Sequence, residues 1–181
     1  MKNLKKYATG KIVIISLILT YSVYAIMLLI TIPDLLNYSQ GLTILDLKPT
    51  GYTLEYVNHL FQMLGEDGRS YYLHYQLPID FIYPLFFALS GFLTLVYFIR
   101  KSGFSHSFWK KIIYLPILAG IADYLENFGI IQLLGSFPNM HNGMVITSSC
   151  FSIAKSGATT LYFIALLSII ILTFVKKFRN S

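Results

Sequence analysis

The chain has a single cysteine, Cys150, among its 181 residues. No internal disulfide can form, which excludes paired-thiol oxidoreductases and membrane proteins whose long external loop is closed by a bridge. Charge is scarce as well. Asp, Glu, Lys and Arg make up 12% of the residues, against the ~25% usual for soluble domains. Acids are the scarcer sign, eight against 14 Lys and Arg. The chain also lacks a Glu-x-x-His pair, a nucleophile elbow, an internal repeat and any low-complexity tract, so it reads as one domain, residues 1–181.

Hydrophobic residues take the place of the missing charge. They make up 55% of the chain, aromatic residues 16%, and the mean hydropathy is +0.62. Runs at 12–33, 79–99, 112–134 and 145–175 each approach the ~20 residues that cross ~30 Å of hydrocarbon at 1.5 Å per residue. The composition therefore predicts an all-α integral membrane protein, a four-helix bundle. The first run follows Lys2, Lys5, Lys6 and Lys11. Its apolar stretch exceeds the ~7–15 residues of a secretory signal core and no small-residue cleavage pattern follows Pro33, so it reads as an uncleaved anchor.

Basic residues set the expected orientation. Eleven of the 14 fall in three acid-free places: residues 2–11, the short connection with Arg100, Lys101, Lys110 and Lys111, and the end with Lys176, Lys177 and Arg179. By the positive-inside rule these face the cytoplasm, N- and C-termini included. The net charge of +6 then reflects topology and contact with anionic lipid, and nucleic acid is not an expected partner. His106 and Trp109 in the basic connection read as interfacial residues.

Residues 34–78 are expected on the non-cytoplasmic side, carrying a short helical segment. Thr53 can cap a helix whose Leu54, Val57, Leu60, Phe61 and Leu64 share one face, and Gly65 should stop it. A second helix is expected to start near Gly68. Seven of the 14 tyrosines lie between the first span and the top of the second. They read as an interfacial belt, or as a lid in which Tyr72, Tyr83 and His74 line the mouth of a site.

The candidate site comes from charges in the wrong solvent. A charged group at the centre of a membrane helix costs ~2.5–3.5 kcal/mol on insertion scales, yet Asp80, Asp123, Glu126 and Lys155 sit in or beside the apolar runs. Counted along the helices at 1.5 Å per residue, all four fall ~17–30 Å from the cytoplasmic end, in the outer half. Asp123, Glu126 and Asn127, three and four residues apart, share a helix face that must turn inward. Repelling, desolvated carboxylates hold protons near neutral pH, which suits proton transfer. Pro84 has no N–H to give the carbonyl of Asp80, so a free backbone acceptor is expected there. Ser152, on the fourth span, belongs to a polar side that also serves close helix packing.

Two functional readings follow. In one, Asp123, Glu126 and Asp80 bind or move a small cationic or amphiphilic molecule, or protons, with Asn127, Lys155, His74, Tyr72, Tyr83 and Ser152 around the ligand. In the other, a protonated Asp123 or Glu126 acts as general acid and its partner as base on a lipid or isoprenoid-like substrate. An accessory role, with the charges as a structural ion-pair network, stands as a third. A metal site joining Asp123 and Glu126 to His59, His74 or His141 lacks the required spacing, and a Ser152–His74–Asp80 triad lacks a local motif. Membrane lipid is an expected partner, no cofactor is implied, and a conducting function would take a homo-oligomer.

Overall fold

A computed structural model describes residues 8–103 and 107–179. Lys2, Lys5, Lys6 and His106 lie outside the described residues. All secondary structure among the described residues is helical, with four helices long and apolar enough to cross a membrane. Helix α1 (Gly10–Ile26) passes through a π turn, Met27–Thr31, into α2 (Ile32–Tyr38). Together they make the first span, Gly10–Tyr38. After a 3-10 turn at Leu45–Leu47, α3 (Leu54–Tyr71) passes through a second π turn, Tyr72–Gln76, into α4 (Leu77–Ser102), and these form the second span. A short α5 (Ser107–Ile112) leads to the third span, α6 (Leu115–Ser136), and the fourth lies in α7 (Asn142–Arg179).

Local chemistry sets the helix ends. Thr9 and Thr53 cap α1 and α3, their hydroxyls accepting from the amides of Ile12 and Tyr56, donors that a helix start leaves unpaired. Pro33, Pro78 and Pro116 stand in first turns, where the missing N–H costs nothing. In α3, Val57, Leu60, Phe61 and Leu64 are buried on the face the spacing predicts. Gly65, at φ 65° and ψ −171°, breaks the helical backbone, and two helices meet across a kink there, so the first helix of this segment stops at Gly65 and a second starts just beyond it, near Gly68, as expected. The chain resumes helical geometry at once and runs on into the membrane-spanning part.

The spans pack in chain order. The second lies against the first, third and fourth, and the third and fourth share the most extensive interface. The first and fourth have no comparable contact. Glycines let the second and third approach closely: a Cβ on Gly91 would stand 2.7 Å from Pro116 Cβ, and one on Gly120 would stand 3.0 Å from the Pro84 carbonyl. The bundle exterior is covered by Ile, Leu and Phe, among them Leu29, Leu85, Phe128 and Leu167. An apolar surface all round is what a lipid-embedded bundle requires. The chain is a four-span helical membrane protein.

Candidate functional site

The third span carries the densest polar face. Asp123, Glu126 and Asn127 are buried on it, Glu126 and Asn127 completely. The i, i+3, i+4 spacing turns all three inward together. From the fourth span, Lys155 Nζ forms ion pairs with Asp123 Oδ1 at 3.2 Å and with Glu126 Oε2. Ser152, one turn before Lys155, donates its hydroxyl to Glu126 Oε1. One ammonium and one hydroxyl therefore hold two carboxylates between neighbouring helices.

Asn127 does a different job. Its Nδ2 donates at 3.0 Å to the carbonyl oxygen of Asp80, the acceptor that Pro84, four residues on, cannot satisfy. A buried carbonyl without a donor costs about 1–3 kcal/mol, so this side-chain amide repairs the second helix from the third. Its own Oδ1 has no partner.

The connection 39–53 descends onto this cluster. Tyr72, fully buried, donates its phenol to Asp46 Oδ2 at 2.9 Å, and Lys155 Nζ reaches the Asp46 carbonyl oxygen at 3.4 Å. The next residues are strapped to the fourth span: the Tyr52 amide donates to Ser149 Oγ at 2.8 Å, and its hydroxyl meets Ser148 Oγ at 2.7 Å. Gly51 stands at φ 83°, where a Cβ would collide with Ser149, so no other residue fits that backbone beside the helix. Burial pushes the Asp46 carboxyl up to about 6 against the pull of Lys155 and of the Tyr72 hydrogen bond, and it raises the Tyr52 phenol too.

Beneath this strap lies a cavity of about 320 Å³. The first span contributes Tyr24 and Met27, the second Gln76, Asp80, Tyr83 and Phe87, the third Ala119 and Asp123. Lys155, Ser156, Thr159 and Thr160 come from the fourth, and Asp46, Leu47 and Pro49 from the connection. Tyr83 packs tilted against Tyr24, with centroids 5.6 Å apart, and against Phe87, 5.8 Å apart, making one aromatic wall. Three polar atoms of lining residues are buried without a hydrogen-bond partner: Asp80 Oδ2, Asp46 Oδ1 and Gln76 Nε2. Gln76 is oriented by Thr31, whose hydroxyl donates to its Oε1 across the two π turns. Four carboxylates, those of Asp46, Asp80, Asp123 and Glu126, thus surround one ammonium.

The residues singled out from sequence divide in two. Asp123, Glu126, Asn127, Lys155 and Ser152 form the ion-pair cluster, and Asp80 and Tyr83 line the cavity beside it. Tyr72 is sealed beneath the connection. His74 lies apart, exposed, its Nδ1 bonded to Ser70 within its own helical turn. His59 and His141 are exposed as well. Asp46 and Gln76 were not anticipated, and Tyr52 only as one of the seven tyrosines of the belt or lid. A lone acid between leucines, Leu45-Asp46-Leu47, is the one sequence signal that marks a loop carboxylate bound for the interior.

Among the described residues, no three His, Cys, Asp or Glu side chains gather in metal-binding geometry. Comparison with models of protein families, with curated proteins and with solved structures finds no match for this chain; function is argued from the residues alone.

Proposed function

We propose that this protein binds a small cationic or amphiphilic molecule within the membrane, as a receptor or carrier, using Asp123, Glu126 and Asp80 as the charge-bearing groups. The observation that supports the reading is the imbalance of four buried carboxylates around Lys155, with Asp80 lining the cavity and its Oδ2 buried without a partner among the described residues. A packing network closes its own charges, since unpaired ones cost several kcal/mol. Protons or a cation must supply what one lysine does not. Lys155 serves as the internal counter-ion, which an arriving cation displaces, and Asn127 keeps the second helix in place around Asp80.

The basic residues in 2–11, 100–111 and 176–179 support termini on the cytoplasmic side, which puts the cavity in the outer half of the bilayer. Four spans enclose no wide pore, so ion conduction would take a ring of copies. The test is uptake of a fluorescent lipophilic cation by proteoliposomes. Glu126→Gln should leave the folded protein intact and abolish uptake and binding; a fully active variant would sink the site.

A second reading has an observation of its own. Asp123 is paired with Lys155, whereas Asp80, on the same cavity, has no ammonium within bonding distance among the described residues. Two acids in such unlike surroundings suit an acid–base pair acting on a lipid. Mass spectrometry of the vesicle lipids separates the two, since a binder or carrier leaves them unchanged.

A further inference from the structure

The unpaired atoms of the cavity and the unpacked flank between its first and fourth spans specify the ligand more narrowly than charge does. We propose that the ligand is an amphiphile headed by a primary ammonium with an oxygen acceptor close by, and that its headgroup arrives sideways from the lipid between the first and fourth spans. This rests on the cation-binding reading given above.

The headgroup chemistry follows from what is left unmade. Asp80 Oδ2 and Asp46 Oδ1 are buried acceptors that lack donors, and Gln76 Nε2 is a buried donor that lacks an acceptor. Asp80 and Gln76 are at most 3% exposed. A ligand that completes them brings N–H groups and one oxygen. A quaternary ammonium brings no N–H at all. Such cations are held instead by aromatic cages, and here the rings of Tyr24, Tyr83 and Phe87 follow one another in a row, each tilted against the next, which makes a wall. Lys155 gives the internal precedent: its primary ammonium already serves Asp123 and Glu126 and touches the Asp46 carbonyl. Asp80 has no such partner.

The route follows from packing. The second, third and fourth spans are packed on one another and the connection caps the loop end, whereas the first and fourth spans are not packed together. Both nevertheless line the cavity, through Tyr24 and Met27 on one side and Thr159 and Thr160 on the other. Thr160 is exposed on the bundle surface. A cavity of about 320 Å³ holds a headgroup and a few methylenes, at roughly 30 Å³ for each water-sized unit. The rest of a long chain then stays in the gap and in the bilayer, where its apolar surface is kept from water.

The experiment measures binding to the full chain in lipid nanodiscs, with three probes: dodecylamine, dodecyltrimethylammonium and methylammonium. Dodecylamine should bind about tenfold or more tightly than its trimethylated analogue, because only it can donate to Asp80. Asp80→Asn should remove that preference. A hydroxyl placed beside the amine, as in 1-amino-2-dodecanol, should improve binding to the wild type and not to Gln76→Leu. Thr160→Trp, which narrows the gap, should slow association of dodecylamine about tenfold and slow methylammonium far less. Equal binding of the two long probes, or a preference for the quaternary one, overturns the headgroup while leaving cation binding intact. Equal slowing of the long and short amines by Thr160→Trp overturns the sideways route. Failure of every probe to bind the wild type sinks the cation-binding reading itself.

Discussion

The two halves of the bundle solve the problem of polar groups in a membrane by opposite means. In the half nearer the chain termini, the polar residues buried among the described ones are hydroxyls, and each has a backbone acceptor within its own helix. Ser16 donates to Val13 O at 2.9 Å, Thr94 to Ser90 O at 2.6 Å, and Thr20 to Ser16 O at 2.8 Å. Around them pack Leu95, Ile113, Tyr162 and Ile169. In the half beneath the connection, carboxylates are buried together with amides and hydroxyls, and the carboxylates take their partners from other segments. Asp123 and Glu126 depend on Lys155 and Ser152 of the fourth span, the Asp80 carbonyl on Asn127 of the third, and Asp46 on Tyr72 of the second. One half is assembled from self-sufficient helices. The other is held by dependence between them, and that is where unpaired atoms remain.

Breaking the dependent half should cost more than breaking the self-sufficient one. The largest effect is expected from Lys155→Met, which leaves the carboxylates without a counter-ion. Loss of a buried partner costs about 3–5 kcal/mol, so the thermal midpoint in detergent should fall by about 10 °C, at roughly 2–4 °C per kcal/mol for a chain of this size. An unchanged midpoint would mean the ion pairs contribute nothing to the fold. Next comes Asn127→Leu, which strands the Asp80 carbonyl; about 1–3 kcal/mol should be lost, together with binding of cationic probes, and lost stability with intact binding would separate the repair of the helix from the site.

Asp46 sharpens the comparison through pH. Its carboxyl is held at about 6 in the folded protein, up from 3.8. Between those values the folded protein keeps a proton that the unfolded chain has lost, so the Asp46 contribution falls as pH rises through that window and is level above it. Asp46→Asn should accordingly gain a few degrees over the wild type at about pH 7.5 and little or nothing at about pH 4. A midpoint difference that does not change with pH would place Asp46 outside the titrating set. The smallest effect belongs to the other half. Thr20 also donates to Ser90 Oγ at 2.9 Å on the second span, and Thr20→Val should cost about 0.6 kcal/mol, the usual worth of a hydrogen bond between spans. A loss as large as that of Asn127→Leu would erase the distinction between the halves.

The sequence made the dependent half only partly legible. The spacing Asp123-x-x-Glu126-Asn127 is a statement about one helix face, and a helix face is set by local geometry; Lys155 followed because a buried acid needs a base. The free carbonyl at Asp80 was legible for the same kind of reason, since proline's missing N–H is local. Asp46 was not, because a three-residue 3-10 turn has no periodicity to say which way it points, and only the strap from Tyr52 to Ser148 and Ser149 decides it. Gln76 was hidden by the winding of its helix, whose π turn shifts register where a regular helix was expected. His74 stands on the same five-residue turn as Gln76 yet faces away, which no count of tyrosines and histidines near an interface can resolve.

That widened turn has a consequence for how the cavity is aimed. Each π turn carries one surplus residue in its coil, and the two lie side by side, joined through Thr31 and Gln76. A single surplus residue swings everything beyond it by about 100° around the axis. The orphan amide and the carboxylate of Asp80, one turn further on, therefore owe their bearing to how the backbone is wound. A change of winding at this pair would steer both away from the cavity together, without moving any helix from its place.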